Sequence, residues 1–139
     1  MLDIKNFSKS YGEKKVVDSL SISVQPGDIY GFIGANGAGK TTTIKAVVGI
    51  HDFEDGSITI NGHSIKEEPV ICKKVMAYIP DNPDLYEHMT GLQYINFIAD
   101  LFEIPTKIRR ERIQKYGDLF DMTDHLSGII SSYSHGMKQ

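Results

Sequence analysis

Cysteine is almost absent from this chain: its 139 residues contain one, Cys72. A single thiol excludes an intrachain disulfide and a cysteine-based zinc site, and it fits a reducing compartment such as the cytoplasm.

Long apolar runs are also absent. The longest, Ile29 to Ala35 with its glycines, is far shorter than the ~20 residues of a membrane helix. No basic start followed by an apolar stretch occurs at the N-terminus, so we expect no signal peptide there.

An excess of basic residues is missing as well. Lys and Arg total 15 against 18 Asp and Glu, which gives a net charge of −3. A protein that wraps nucleic acid is expected to carry a basic face, so we expect no nucleic-acid partner. Hydrophobic residues make up 40% of the chain and charged residues 24%, which is typical of a folded globular domain. The length predicts one domain at most.

Strand signals dominate the first 80 residues. Apolar alternation predicts an antiparallel pair, formed by Leu2–Phe7 and the more regular Leu20–Val24 around a turn near Tyr11. Two segments without alternation, Ile29–Ile33 and Val75–Ile79, have the pattern of strands covered on both faces. Turn dipeptides flank a further short strand at 58–60; they are Asp55-Gly56 and Asn61-Gly62.

Two helices are predicted within this strand-rich part, and two more follow it after residue 90. The first covers 41–48 and stops at Gly49, and a shorter one covers 67–74. After residue 90, Thr90 and Gln93 form a capping box at the start of a third helix. Thr106 is the predicted N-cap of a fourth helix, whose apolar residues are expected to form the core of a helix pair: Ile108, Ile113, Tyr116 and Phe120. Residues 90 to about 126 therefore indicate a helical insertion in an α/β domain.

One motif carries the chemistry. Residues 34–41 match G-x-x-x-x-G-K-[ST], and they lie between a predicted strand and a predicted helix, as this motif requires. Glycines let the backbone N–H groups turn toward phosphate oxygens, and the helix N-terminus adds a positive field. Lys40 supplies a charge for the β- and γ-phosphates, and the hydroxyl of Thr41 suits Mg²⁺. The candidate nucleotide contacts are Gly34, Asn36, Gly37, Ala38, Gly39, Lys40, Thr41 and Thr42.

Two other interpretations of the loop are disfavoured. A glycine-rich turn with a chance Lys-Thr would explain the letters, but the correct elements on both sides argue against it. A dinucleotide site needs G-x-G-x-x-G, a pattern that is not present here.

With this loop, three further features resemble the ATP-binding subunit of ABC transporters, in the order that this family has them. They are Tyr11, the strand end Tyr78-Ile79-Pro80 and the C-terminal segment 131–139, SSYSHGMKQ. The resemblance covers the whole chain, and the serine–glycine segment makes it specific because it is similar to the ABC signature. It implies an α/β, P-loop NTPase-type core with an N-terminal antiparallel β subdomain and a helical insertion.

The resemblance also implies roles for individual residues. Tyr11 lies where an aromatic ring stacks on adenine, although an exposed turn tyrosine is the simpler interpretation. Asp81 lies where most members have a glutamine that touches Mg²⁺ and the attacking water. Ser134 and Gly136 match the signature residues that contact the γ-phosphate held by an opposite subunit. The implied ligands are thus ATP and Mg²⁺, with Thr41 and Asp81 toward the metal.

This chain departs from the family pattern in the signature. His135 replaces its first glycine, Tyr133 the usual leucine and Met137 the usual glutamine. Together with the acidic Asp81, these residues resemble the branch that energises export-type permeases. His135 is interpreted as an ordinary polar residue because no second metal ligand lies near it in sequence, and the other four histidines are likewise scattered.

In the family, the next elements after the signature are an apolar strand that ends in Asp, a catalytic Glu and a later His. We therefore expect residues 1–139 to be the N-terminal, C-terminally truncated portion of an ABC ATP-binding domain, divided into a nucleotide-binding part (1–89) and a helical and signature part (90–139). The missing strand would lie between Ile29–Ile33 and Val75–Ile79 and leave both unpaired. Without the Asp and Glu, this chain is expected not to hydrolyse ATP alone.

The resemblance implies a function for the intact protein. Two such subunits would sandwich two ATP molecules, hydrolyse them and drive a transmembrane permease, with the subunit at the cytoplasmic face of the membrane. Tyr86 and Met89, in the passage from 81 to 90, are candidates for coupling to the permease or for simple loop packing. Two alternatives stay open: a soluble ABC ATPase that acts on nucleic acid or the ribosome, and a nucleotide-binding fragment without an enzymatic role.

Overall fold

The structure is a computed structural model that describes residues 1–139. The chain divides into two compact units, Met1–Tyr78 and Ile79–Gln139. The functional division predicted near residue 90 stays a prediction. The first unit contains, in chain order, β1 (Leu2–Tyr11), β2 (Lys14–Val24), α1 (Lys40–Val47), β3 (Asp55–Ile60), β4 (His63–Ser64) and α2 (Pro69–Lys74). The second unit contains α3 (Gly91–Leu101), α4 (Thr106–Leu119) and α5 (His135–Lys138), with 3₁₀ turns at Thr123–His125 and Ile130–Ser132.

The antiparallel pair predicted near the N-terminus is confirmed, and both strands are longer than predicted. In β1 and β2, Tyr11 pairs with Lys14 across a two-residue turn, and Leu2 pairs with Val24 at the other end. β3 joins the second edge of β1, so the sheet order is β2-β1-β3-β4. The predicted turn at Asn61-Gly62 connects β3 to β4, with φ of 51° and 86°, the two positive values that a type I′ hairpin turn requires.

The prediction of a turn at Asp55-Gly56 is wrong, because both residues belong to β3. Gly56 has a φ of +89°, and a Cβ there would lie 2.5 Å from the carbonyl oxygens of Lys5 and Asn6. The glycine therefore allows β3 to approach β1 closely where the register between the two strands shifts.

One hydrophobic core joins the sheet of the first unit to its helices. Phe7 is fully buried and its ring meets that of Phe53 edge-on, with the centroids 5.3 Å apart. Ala46 brings α1 into this core, and Cys72 brings in α2. Burial of a large apolar side chain stabilises a fold by ~1.5–3 kcal/mol. The buried members are Ile4, Phe7, Val17, Ala46, Phe53, Ile58, Ile60, Ile65 and Cys72.

The two strands predicted at Ile29–Ile33 and Val75–Ile79 are not formed, which corrects that assignment. Both segments have irregular backbone, and Ile29, Ile33 and Ile79 are largely exposed. Their apolar pattern requires a neighbouring strand on which to form a ladder, and no segment of the 139 residues supplies one. The expectation that both segments are unpaired is thus confirmed.

The second unit begins its helices as the capping box predicts. Thr90 accepts a hydrogen bond from the backbone of Gln93, whose side chain accepts one from the backbone of Thr90. The residues before α3 are also joined to those before α5. Ser131 donates to the carbonyl of Glu87 and Ile130 to that of Met89, with N···O distances of 3.0 and 2.9 Å.

Helix α4 differs from its prediction in two ways. Its N-cap is Pro105, not Thr106, because the backbone of Arg109 already donates to the carbonyl of Pro105. Most of the apolar residues assigned to a helix-pair core are exposed, which corrects that assignment; Ile113 is the half-buried exception, while Ile108, Tyr116 and Phe120 are exposed. Polar contacts also join the helices, since Arg109 donates to Asn96 and Asp100 of α3 and to the carbonyl of Ile104.

We expect hydrogen exchange to separate the paired from the unpaired backbone. Amides in Ile29–Ile33 and Val75–Ile79 should exchange rapidly, because no ladder protects them. Amides of β1 and of α3 should exchange slowly and serve as internal controls. Mass-spectrometric exchange on the monomeric chain measures both, and cooperative protection of the two segments would contradict the prediction.

Candidate functional site

The glycine loop reaches its shape through two left-handed residues. Gly37 and Gly39 have φ of +82° and +85°, and the backbone of Ala38 donates to the carbonyl of Ala35, which closes a turn. Gly39 also lies close to β2: a Cβ on it would be 2.7 Å from Cγ2 of Val17 and 2.9 Å from the carbonyl oxygen of Val16. Position 39 therefore requires glycine twice over, for its φ and for the absence of a side chain.

Helix α1 presents a free N-terminus to this loop. Gly39 is its N-cap, no side chain caps it, and its first turn contains no acidic residue. The first N–H groups of a helix have no partner within the helix, and together with the macrodipole they favour an anion. Behind them the buried hydroxyl of Thr43 donates to the carbonyl of Gly39 at 2.9 Å and fixes the junction between loop and helix.

Lys40 folds back over the loop. Its Nζ donates to the carbonyl oxygens of Gly34 and Ala35, at 2.6 and 2.8 Å, and so lies against the inside of the turn. Thr41 follows it at the exposed start of α1. A mobile ammonium, uncapped backbone N–H groups and an exposed hydroxyl are donors and ligands that suit a triphosphate with Mg²⁺. The residues present therefore fit the ligand that the sequence predicts.

Tyr11 lies at the end of β1, next to the turn that leads into β2. Its hydroxyl is 2.8 Å from Nδ1 of His51, and the two rings meet edge-on at 80°. Lys9 lies over the Tyr11 ring, with Nζ 5.5 Å from the centroid, and forms an ion pair of 2.7 Å with Glu54. The hydrogen bond from Lys9 holds the pKa of the exposed Glu54 carboxyl below its ordinary value.

The remaining predicted site residues belong to the second unit. Asp81 is exposed, and its carbonyl accepts a hydrogen bond of 3.2 Å from Nε2 of Gln139. Ser134 is the N-cap of the short helix α5, where its hydroxyl accepts from the backbone of Met137. Gly136 is exposed, with open space where a Cβ would be. The structure therefore groups the loop residues and Tyr11 in one unit, and Asp81 with Ser134 and Gly136 in the other.

Tyr133, which stands where the family usually has leucine, fits into a buried position beside α3. Its ring is buried, and its hydroxyl donates to the carbonyl of His125 at 2.7 Å. The phenol occupies the space beside Gly91, the first residue of α3, where any Cβ would collide with it. A tyrosine is thus accommodated in place of the implied leucine because its neighbour on α3 lacks a side chain.

Three residues around the site were missed from the sequence. Thr43 lies in the run that follows the motif, so its position was a usable signal. Lys9 lies two residues before Tyr11 on the same strand, so the period of two residues was a usable signal for it. His51 gave no signal, because it is 40 residues from Tyr11 and only tertiary contacts bring the two together.

The model of the ABC transporter family matches residues 17–139. The chain is 34% identical, over its full length, to the ABC transporter ATP-binding protein YhcH of Bacillus subtilis (strain 168), of which it covers 45%. It is 30% identical, again over its full length, to the linearmycin resistance ATP-binding protein LnrL of the same organism, of which it covers 45%.

A solved structure of the ATP binding subunit of an ABC transporter superposes on this one with a TM-score of 0.89 and 31% sequence identity. The alignment covers 99% of this chain and 57% of the solved one. The chain thus spans about half the length of the relatives that it matches.

Replacement of Gly39 by Ala should damage the site more than the same change at Gly37. Both have positive φ, which costs an L residue ~1–2 kcal/mol, so Gly37→Ala should lower the free energy of unfolding by about that amount. Gly39→Ala adds the collision with β2, for a total of roughly 2–5 kcal/mol. Chemical denaturation of both variants measures the difference, and equal losses would contradict the close packing of Gly39.

Proposed function

This chain belongs to the ABC transporter family, and we propose that it binds ATP with Mg²⁺ as the nucleotide-binding part of a transporter. The observation that carries the proposal is the glycine loop with Lys40 against its inner carbonyls, at the uncapped start of α1. The family match supports the class of nucleotide, because a glycine loop by itself indicates only a phosphate ligand.

Each residue of the loop has a role in this proposal. Backbone N–H groups from 34 to 42 hold the phosphates, and Lys40 exchanges its carbonyl partners for phosphate oxygens. The hydroxyl of Thr41 is the proposed ligand toward Mg²⁺. The metal, when bound, would neutralise the charge of the phosphates. Tyr11 would stack on the base, a contact worth ~1–3 kcal/mol for aromatic rings and bases.

A complete site needs a second subunit under this proposal. Ser134 and Gly136 would contact the γ-phosphate that the opposite subunit holds, with the hydroxyl and the N-terminal backbone of α5. Ser134 is exposed, and its hydroxyl accepts the N–H of Met137, so its own O–H proton remains available to donate to a phosphate oxygen. In the intact protein, the two subunits would close on ATP and reopen after hydrolysis, and this motion would supply mechanical work.

We propose that this work drives a transmembrane permease in the direction of export, from the cytoplasmic face. No helix of the structure combines the length and apolar character needed to cross a bilayer. The similarity to a protein named for linearmycin resistance supports export over import. Tyr86, exposed and packed against Tyr94 and Phe97, is the proposed contact for the permease.

Replacement of Lys40 should weaken ATP binding without unfolding the chain. Lys40→Ala removes a charged donor and no core contact, so affinity for Mg-ATP should fall about tenfold or more, since charged hydrogen bonds contribute ~1.5–3 kcal/mol. Titration calorimetry measures the affinity. Lys45→Ala, in the last turn of the same helix, is the matched control and should bind normally. Unchanged affinity in Lys40→Ala would refute the proposed site.

The 139-residue chain should bind ATP without turning it over. Phosphoryl transfer needs a group that orients the attacking water, and we propose that these 139 residues lack the acidic pair that the family uses for this. Phosphate release should equal background for the parent and for Lys40→Ala alike. Turnover that tracks the purified chain and disappears in Lys40→Ala would show that another carboxylate, such as Asp81, does this work.

A further inference from the structure

The phenol of Tyr11 is held at its hydroxyl end by a residue far away in sequence. Its oxygen lies 2.8 Å from Nδ1 of His51, and the ring centroids are 6.1 Å apart at 80°. Either the hydroxyl donates to an unprotonated Nδ1, or a protonated Nδ1 donates to the phenolic oxygen. The bond therefore restrains the direction of an otherwise half-exposed ring.

A second contact covers one face of the same ring. Nζ of Lys9 lies 5.5 Å from the Tyr11 centroid and is held by Glu54 at 2.7 Å. The side chain of Lys9 is only 12% exposed, so this cation has little freedom to leave. With its edge and one face occupied, the ring offers its opposite face to a planar partner.

His51 is itself attached to the helix that carries Lys40. Its backbone N–H and that of Ile50 both donate to the carbonyl of Lys45, at 3.1 and 2.8 Å, in the last turn of α1. The first residue of that helix is Lys40. One rigid helix of eight residues therefore connects the residue that contacts phosphate in our proposal with the residue that holds Tyr11.

We propose that His51 is a positioning residue for the nucleobase, which acts by fixing Tyr11 for stacking; this inference rests on the proposed ATP site. An unrestrained ring would have to be ordered when the base binds, and that ordering costs affinity. The restraint acts on the base and not on the phosphates, so its loss should affect only ligands that carry a base.

The experiment compares Mg-ATP with inorganic tripolyphosphate and Mg²⁺ on the 139-residue chain, with affinities from calorimetry. Tyr11→Phe and His51→Ala should each weaken ATP binding about two- to tenfold, the range of one hydrogen bond, and leave tripolyphosphate within twofold. The double variant should be no weaker than either single variant. His51→Asn, whose Oδ1 can accept in place of Nδ1, should restore ATP affinity. His63→Ala, which removes a histidine paired with Glu68 on β4, is the control and should change neither ligand.

Several results would overturn the inference. ATP affinity in His51→Ala equal to that of the parent would do so, and so would an equal loss for ATP and tripolyphosphate, which indicates a merely structural role. Additive effects of Tyr11→Phe and His51→Ala, or no rescue by His51→Asn, would exclude action through the phenol. Failure of the proposed site itself looks different: Lys40→Ala would then bind ATP and tripolyphosphate as tightly as the parent, whatever the His51 variants do.

Discussion

The close approach of Gly39 to β2 is the constraint on which the proposed phosphate site depends. A left-handed residue without a side chain lets the chain turn from the loop into α1 while it touches Val16 and Val17. Because α1 is held there, its uncapped N-terminus and Lys40 face the inside of the loop. The core residue Ala46 then fixes the other end of the helix against the sheet. The proposed anion site thus lies at the end of a helix that is held by its buried residues Thr43 and Ala46.

The second unit depends on a different interaction, the backbone pairing of residues 87–90 with 129–131. Ser131 and Ile130 donate to the carbonyls of Glu87 and Met89, and Thr90 bridges Ile129. An ion pair between Lys138 and Glu87 adds to this connection, and it is exposed enough that its contribution to stability is small. The segment that begins with Asp81 and the segment that ends in the signature therefore belong to one piece of structure, with Tyr133 packed on Gly91 behind it.

Several features could be predicted from the sequence because they depend on neighbours along the chain. The capping box at Thr90, the I′ turn at Asn61-Gly62 and the hairpin of β1 and β2 are local and are confirmed. Apolar patterns predicted strands and buried residues less well, because both depend on contacts with distant segments. The runs at Ile29–Ile33 and Val75–Ile79 have the composition of buried strands, but a strand forms only beside another strand. The apolar residues of α4 predict a helix-pair core, but most of them are exposed, and Arg109 forms hydrogen bonds to Asn96 and Asp100 of α3.

For the candidate site, eight consecutive residues were enough to predict the chemistry of the proposed phosphate loop: glycines for positive φ, Lys40 for charge and Thr41 for the proposed metal ligand. Family membership followed from motifs in a fixed order. Tertiary contacts alone bring His51 to the hydroxyl of Tyr11 and Glu54 to Lys9, which precedes Tyr11 by two residues on β1. The physical reason is the range of the forces: a turn or a helix start is fixed by adjacent residues, whereas a contact between residues 40 positions apart exists only after the core has formed.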